Sequence, residues 1–235
     1  MSSLTRANAD GFSIVQTVLS VPKPKTLLIL QYGSEVLRAM KTRKLPRDVE
    51  VLCRGIHLEF VRAPNGWEYV QHQSSLAGVL ILAVTDDGRL LLVEQIRPPL
   101  RGTVIELPAG LIDEREEPES AARRELEEET GYQCDSIKEV CKGSTSPGLT
   151  NDQNIVCVAS GLRRIDESRP DERFADGSRK HLQIRGLPSE NEELVVWEVP
   201  LTSVVKWLFR RRLDGTILDL RIFAGLFFLG VRPPE

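Results

Sequence analysis

The stretch that most constrains the fold of this chain runs from Gly110 to Tyr132 and reads GLIDEREEPESAARRELEEETGY. It contains nine acidic side chains in twenty-three residues. Pro118 is typical of the first position of a helix, where its missing N–H costs nothing, and Gly131 is typical of the position just past the last turn. The segment therefore predicts about three turns of helix between these two residues.

The carboxylates of this helix are expected to share one face. At roughly 100° per residue, Glu125 and Glu129 lie one turn apart, with Glu128 alongside them. Like charges at this spacing repel each other in a bare helix. An acidic stretch is most often a solvated helix face, but carboxylate oxygens are also the ligands that Mg²⁺ and Mn²⁺ prefer. Spacing alone leaves both interpretations open.

The order of residues across the whole segment resembles the Nudix box, Gly-x5-Glu-x7-Arg-Glu-U-x-Glu-Glu-x-Gly-U, where U is a bulky apolar residue. All of its fixed positions are matched, although the last U is a tyrosine. The matching residues are Gly110, Glu116, Arg124, Glu125, Leu126, Glu128, Glu129, Gly131 and Tyr132. The resemblance implies a scaffold that cleaves diphosphates. It also implies an α/β fold, a Nudix-type α/β/α sandwich with a mixed central sheet, preceded by an N-terminal β-hairpin region.

Three regions are predicted along the chain. Residues 1–48 are an N-terminal extension, in which Thr26–Met40 could form either a strand or a short helix. Residues 49–75 are the β-hairpin region, which we expect to serve dimerisation or substrate binding. Residues 76–235 are the Nudix hydrolase domain.

Two hairpins are predicted from alternating apolar residues and turn signals. In the first, Val51–Arg62 is a half-buried strand in which Ile56 and two later apolar residues alternate with polar ones, and Trp67–His72 is its return. In the second, Gly78–Thr85 turns at Asp86-Asp87-Gly88 and returns over Arg89–Gln95.

The second half of the chain combines strands with a polar insert. Strands are predicted over Ser136–Lys142, Asn154–Ser160 and Leu194–Val199. Between the last two, Arg163–Glu193 loses apolar periodicity and is expected to be a long loop, either a functional lid or an insert. Two closing helices are predicted, one near Ser203–Leu213 and one over roughly Thr216–Leu229.

Composition gives no support for nucleic acid or membrane partners. The net charge is −3, which provides no basic footprint for either. The four cysteines have no zinc-finger spacing, and no apolar run is long enough to span a bilayer. The histidines His57, His72 and His181 share no metal-ligand spacing, and we expect them to be bystanders. We expect a soluble cytoplasmic protein.

Within the Nudix family, the resemblance is closest to ADP-ribose and ADP-sugar pyrophosphatases and extends from about Gly78 to Pro200. Three flanking segments carry it. They are Glu94-Gln95-Ile96-Arg97-Pro98-Pro99 followed by Glu106-Leu107-Pro108-Ala109-Gly110, then Ser146-Pro147-Gly148, and finally Glu190-Asn191-Glu192-Glu193-Leu194. The resemblance implies hydrolysis of ADP-ribose to AMP and ribose 5-phosphate.

The same resemblance implies a metal site. Glu125 and Glu129 would ligate Mg²⁺, with Mn²⁺ as an alternative, together with the backbone carbonyl of Ala109. Glu128 would act as a further ligand or through water. Diphosphate cleavage of this kind uses cations to activate a water and to neutralise phosphate oxygens.

Other residues of the box are expected to support this site. By resemblance, Arg124 and Glu116 would buttress one another and hold the loop, so that the catalytic role of Arg124 is indirect. Gly110 and Gly131 would shape the backbone at the two ends of the box.

The base that takes a proton from the attacking water is expected outside the box. Glu192 is our choice, at the junction of the polar loop and the following strand. Glu190 and Glu193 are competitors, and a solvated acidic loop end is the alternative.

Four residues are predicted to contact substrate. Arg97 could pair with a phosphate or the terminal ribose, or be a surface arginine before a turn. Trp67 could stack on adenine or pack in a core. Pro147 occupies the position where the ADP-ribose subgroup keeps a proline, and Glu106 belongs to the first flanking segment.

Three alternatives for function remain open. The substrate could be another nucleoside diphosphate sugar, such as UDP-glucose or GDP-mannose, or an oxidised nucleoside diphosphate. The chain could instead be a nucleotide-sugar-binding regulatory module without catalysis, although such modules usually lose the box carboxylates that are all present here. By resemblance we also expect a homodimer.

Overall fold

The computed structural model describes residues 49–73, 77–166, 171–185 and 192–231, with backbone only for 184–185 and 192–193. It also gives the backbone of three strands nearer the start, β1 (Thr5–Ala7), β2 (Ser13–Leu19) and β3 (Leu27–Gln31). These pair antiparallel in the order β1-β2-β3. β3 occupies the start of Thr26–Met40, the stretch that the sequence left open between strand and helix. The rest of that stretch lies outside the described residues.

A separate antiparallel sheet precedes the main fold. Its strands are β4 (Glu50–Arg54), β5 (Leu58–Arg62) and β6 (Glu68–His72). The single strand predicted over Val51–Arg62 is wrong, because the chain reverses between β4 and β5, where the Gly55 N–H donates to the Leu58 carbonyl at 2.8 Å. The apolar alternation continues through this turn, and Ile56 is 88% exposed there. The homodimer stays a prediction.

Two larger mixed sheets form the body of the protein. The first contains β7 (Ala77–Ala83), β10 (Ala109–Leu111), β11 (Tyr132–Gly143) and β12 (Gln153–Arg164), in the order β10-β7-β12-β11. The second contains β8 (Arg89–Arg97), β9 (Gly102–Glu106), β13 (Glu172–Arg173), β14 (Arg179–Arg185), β15 (Glu192–Pro200) and β16 (Ile217–Leu218). Its order is β13-β14-β15-β8-β9-β16. Neighbours are antiparallel except β7 with β12 and β9 with β16.

Helices cover opposite faces of these sheets. They are α1 (Pro118–Thr130), α2 (Val204–Leu213) and α3 (Arg221–Phe228), and a short 3-10 helix spans Pro98–Leu100. Side chains alternate along β7, so that Val79 and Ile81 pack in one core with Leu126 of α1, whereas Leu82 packs in a second core with Trp207 of α2. Residues of α3 join this second core. The predicted α/β/α layering is confirmed.

The predicted second hairpin forms its turn but not its paired strands. The Thr85 N–H donates to the Arg89 carbonyl at 2.9 Å across the turn. Beyond it, β7 and β8 are joined only by an isolated bridge between Val84 and Leu90, and each strand then enters a different sheet. The prediction failed because both strands are apolar on two faces. Such strands can pair with other strands of a buried sheet as readily as with each other.

The polar stretch Arg163–Glu193 is not a continuous loop. It contains β13 and β14, and β14 pairs antiparallel with β15 along seven residues. Only one face of β14 is turned inward, where His181 is buried between the partly exposed Lys180 and the exposed Leu182. A strand with one polar face lacks the apolar signal that the sequence prediction relied on.

The last predicted helix is shorter than expected. Thr216–Leu229 begins with β16, which pairs in parallel with β9, and α3 starts only at Arg221. The Asp219 N–H donates to the Ile105 carbonyl at 3.0 Å and anchors the junction. In the described part of the chain, no helix is both long and apolar enough to cross a membrane.

Candidate active site

Helix α1 has the two ends that the sequence predicts. Pro118 is its first residue, and Gly131 follows its last residue with φ of 71°, a left-handed conformation that favours glycine. The Gly131 N–H donates to the Glu127 carbonyl at 2.9 Å. The chain therefore leaves the helix abruptly and enters β11, which fixes which face of α1 is turned toward the sheets.

The buried face of α1 carries two carboxylates. Glu125 and Glu129 are each 2% exposed, like the fully buried Ala122 and Leu126 beside them. Taking a carboxylate out of water is costly unless it accepts hydrogen bonds, pairs with a cation or binds a metal. The protein must therefore supply compensating groups on this face.

Hydrogen-bond donors on both sides of the pair supply part of this compensation. The Ala109 backbone N–H donates to Glu129 Oε2 at 2.9 Å. On the other side, Arg124 Nη1 donates to Glu125 Oε1 at 2.7 Å. Arg124 belongs to the box and Ala109 directly precedes it, so the helix and the strand before it together hold the two carboxylates.

Gly110 is required by a close approach. A Cβ built on this residue would lie 1.9 Å from the carboxyl carbon of Glu125 and 2.0 Å from its Oε1. Gly110 is paired with Val79 in the sheet, so its backbone has little room to move away. The missing side chain creates the space in which the Glu125 carboxylate sits.

Arg124 also ties the loop before the helix to the helix. Its Nε donates to Glu116 Oε1 at 3.1 Å and its Nη2 donates to Glu116 Oε2 at 2.9 Å. Nη2 donates further to the Leu111 carbonyl at 3.0 Å. Hydrogen bonding to Arg124 lowers the pKa of the Glu116 carboxyl, and the same contact raises the pKa of Arg124. One guanidinium thus supports the loop and Glu125 together.

The residues present fit Mg²⁺ or Mn²⁺. The donors are carboxylate oxygens, the class that hard divalent cations prefer. Two of these carboxylates, on Glu125 and Glu129, are buried, and a Cβ at position 110 would overlap the carboxylate of Glu125. A third, on Glu128, is 42% exposed, with its Oε2 3.5 Å from Arg124 Nη1. The set therefore combines two held ligands with one at the solvent edge.

Arg97 and Glu106, predicted as two separate substrate contacts, form one ion pair. Arg97 Nε donates to Glu106 Oε1 at 2.9 Å and its Nη2 donates to Oε2 at 2.6 Å. The side chain of Glu106 is 6% exposed, whereas that of Arg97 is 40% exposed. The buried carboxylate orients the guanidinium, and contact between either residue and substrate stays a prediction. The sequence did not indicate this pair, because only the structure shows that Arg97 on β8 and Glu106 on β9 lie on neighbouring strands.

Trp67 lies beside the segment that follows Pro147. Its indole Nε1 donates to the Gly148 carbonyl at 3.2 Å, and the residue is 58% exposed. The neighbouring Val70 N–H donates to the Leu149 carbonyl at 2.9 Å. Core packing is therefore not its role in this structure. The contact links the β4–β6 sheet to the flanking segment that the sequence singled out.

The candidate base lies at the edge of what the structure describes. Glu192 is the first residue of β15, where its backbone pairs with Arg185 of β14. The side chains of Glu192 and Glu193, and the whole of Glu190, lie outside the described residues. Their assignment as base or competitors stays a prediction.

The α/β/α layering, with a carboxylate-bearing helix packed behind a glycine of the preceding strand, defines the Nudix class of fold. Comparison with family models agrees. The NUDIX domain model matches residues 75–208, more than half of the chain, and this protein belongs to that family.

Three relatives show how far the similarity extends. The ADP-ribose pyrophosphatase of Bacillus subtilis (strain 168) is 41% identical over 118 residues, and the methanol dehydrogenase activator of Bacillus methanolicus is 35% identical over 117. Each match covers 48% of this chain but only 62% of the relative. The ADP-ribose pyrophosphatase of Saccharomyces cerevisiae (strain ATCC 204508 / S288c) is 33% identical over 162 residues, 58% of this chain and 68% of that protein.

Proposed function

We propose that this protein hydrolyses the diphosphate of ADP-ribose, or of a related ADP-sugar, to AMP and ribose 5-phosphate or another sugar phosphate. The observation that carries the proposal is the pair of buried carboxylates, Glu125 and Glu129, within a complete Nudix box. Two buried carboxylates on one helix face provide the hard oxygen ligands that Mg²⁺ and Mn²⁺ prefer. The choice of ADP-ribose is supported by two of the relatives described above, which are ADP-ribose pyrophosphatases.

The metal ligands of this proposal are the carboxylates of Glu125, Glu129 and Glu128 and the carbonyl of Ala109. Mg²⁺ held by these residues would supply positive charge for the diphosphate oxygens and would lower the pKa of a water molecule. The protein's own part is to keep these oxygens in position. Arg124 does so by its hydrogen bond to Glu125, so its role is positioning.

The remaining roles concern the substrate and the proton. In this proposal Glu192 takes the proton from the attacking water, and the exposed face of Arg97 binds a phosphate oxygen or the terminal ribose. Trp67 is exposed enough for its indole to stack on adenine while its N–H is bonded to Gly148. The bidentate pair with Glu106 supports the role of Arg97, because it fixes the direction of the guanidinium.

Product analysis tests the proposed reaction. Purified protein with Mg²⁺ should release AMP and ribose 5-phosphate from ADP-ribose, with kcat/KM higher than for UDP-glucose or GDP-mannose. A higher kcat/KM for either of the other two would overturn the assigned substrate. Tight binding of ADP-ribose by calorimetry, with no turnover in Mg²⁺ or Mn²⁺, would overturn the enzyme and favour a regulatory module.

Replacing Glu192 by Gln should lower kcat about a hundredfold and leave KM nearly unchanged, because a general base acts on the chemical step and not on substrate binding. Glu193→Gln is the matched control, since it removes the same charge one residue further along the chain. A loss of activity in Glu193→Gln or Glu190→Gln, with Glu192→Gln unaffected, would move the base to that residue.

A further inference from the structure

A second group of potential ligands lies beyond the C-terminal end of α1, apart from the box carboxylates. It consists of Asp171, which precedes β13, His181 on β14 and Glu198 on β15. One ligand atom from each residue lies within 4.8 Å of the other two. His181 is 5% exposed and Glu198 is 2% exposed. None of the three belongs to the site proposed for hydrolysis.

The hydrogen bond of His181 determines which ring nitrogen carries its proton. Nε2 lies 3.0 Å from the carbonyl oxygen of Thr130, the last residue of α1. A carbonyl can only accept, so Nε2 is the donor, and in the neutral ring Nδ1 bears a lone pair. Burial lowers the pKa of His181, which favours this neutral ring.

The Nδ1 atom of His181 is buried and has no hydrogen-bond partner among the residues that the structure describes. A buried imidazole nitrogen without a partner is unfavourable. A ring nitrogen of His181 also lies within 4.8 Å of a carboxylate oxygen of both Asp171 and Glu198, and all three groups are electron donors. A cation placed between them would satisfy all three. The Nε2 contact to a backbone carbonyl is the arrangement that metal-ligating histidines usually have.

The two carboxylates also have partners of their own. Tyr132 Oη donates to Glu198 Oε1 at 2.7 Å, and Arg179 Nη1 lies 3.6 Å from Glu198 Oε2. Asp171 forms an ion pair with Arg164. These contacts fix the direction of the carboxylates, as outer-shell partners of metal ligands do. The two arginines also offset the negative charge, so we expect moderate affinity and a preference for ions that bind imidazole well.

We propose that Asp171, His181 and Glu198 form a second metal site, for a divalent transition-metal ion of the Zn²⁺ type. One imidazole with two carboxylates suits Zn²⁺, whereas Mg²⁺ prefers oxygen ligands alone. Zinc binds such donors at about 2.0–2.2 Å, which places them roughly 3.4 Å apart in a tetrahedral site. The separations of the three ligand atoms, all within 4.8 Å, are compatible with such a site after at most small side-chain movements.

An ion at this position would connect three elements. His181 and Glu198 lie on the adjacent strands β14 and β15, and His181 holds the end of α1 through Thr130. The site would act as a brace between the carboxylate-bearing helix and these strands. Because the ion favours the folded protein, it should raise Tm.

The test is Zn²⁺ binding in saturating Mg²⁺, which on the proposed function occupies the carboxylates of α1. Calorimetry should show about one equivalent of Zn²⁺, and a thermal melt should show a rise in Tm. His181→Gln should lose both effects. His72→Gln is the matched control, because the Nε2 atom of His72 lies 3.7 Å from Oδ2 of Asp152, in a different part of the protein. This variant should bind Zn²⁺ as the unchanged protein does.

A second variant and a spectroscopic probe keep the test valid if His181→Gln folds poorly. Asp171→Asn replaces the least buried of the three ligands. It should weaken Zn²⁺ binding at least tenfold, because replacing even an outer-shell partner of a metal ligand typically costs about tenfold or more in affinity. Co²⁺ should give visible absorption bands of a tetrahedral site that are lost in the same variants. Equal Zn²⁺ binding by the unchanged protein and both variants, or no Zn²⁺ bound in saturating Mg²⁺, would overturn the site while leaving the proposed hydrolysis intact.

Discussion

Glu129→Gln is expected to lower kcat/KM for ADP-ribose hydrolysis about a thousandfold. The substitution removes one negative charge from the proposed metal site but keeps the shape of the side chain. A catalytic cation is worth several kcal/mol of charge stabilisation, and each 1.36 kcal/mol changes the rate tenfold. The amide oxygen of glutamine can still accept the hydrogen bond from the Ala109 N–H, so the fold should be preserved.

The control for this prediction is Glu127→Gln. Glu127 is on the same helix and is exposed, and its carboxylate accepts only a surface hydrogen bond of 3.1 Å from Gln133 among the contacts described. The Glu127→Gln substitution removes the same charge from α1. It should leave kcat/KM within about twofold of the value for the unchanged protein, as expected for a surface position away from the site. Calorimetric Mg²⁺ titration of both variants completes the test. Full activity in Glu129→Gln would show that the metal assignment is wrong.

The sequence predicted the helix of the box because its signals are local. Pro118 and Gly131 mark its two ends, and the spacing of Glu125 and Glu129 places them on one face, as the structure has them. Strand pairing was harder to predict, since a two-faced apolar strand such as β7 suits several neighbours. The choice between a hairpin and two separate sheets depends on contacts made far along the chain.

Side-chain partners in the site were also beyond local signals. The Ala109 N–H donates to Glu129 because β10 crosses α1 at this point. The spacing of residues in the sequence does not reveal where a strand crosses a helix. The group around His181 is a stronger case. Its histidine and Glu198 are far from α1 in the sequence, and β14 itself was predicted as loop, so the three ligands had no common element on which to be recognised.

Gly110→Ala is expected to lower kcat/KM about a hundredfold without changing any charge. The added methyl group would lie 1.9 Å from the carboxyl carbon of Glu125, so the carboxylate must move. A displacement of about 1 Å in a positioned catalytic group can cost a hundredfold in rate. Crowding of a packed site should also lower the free energy of unfolding by about 1–3 kcal/mol.

Gly143→Ala is the matched control for this steric argument, because a Cβ at Gly143 meets nothing within 4 Å. Gly143→Ala should change kcat/KM and the midpoint of urea unfolding much less than Gly110→Ala does. The double variant Gly110→Ala with Glu125→Asp separates clash from ligand position, since the shorter side chain relieves the contact but retracts the carboxylate. It should regain stability and not activity, because a metal ligand must reach its position as well as fit. If Gly110→Ala has the same urea midpoint and the same kcat/KM as Gly143→Ala, the close packing of Gly110 on Glu125 has no role in holding the site.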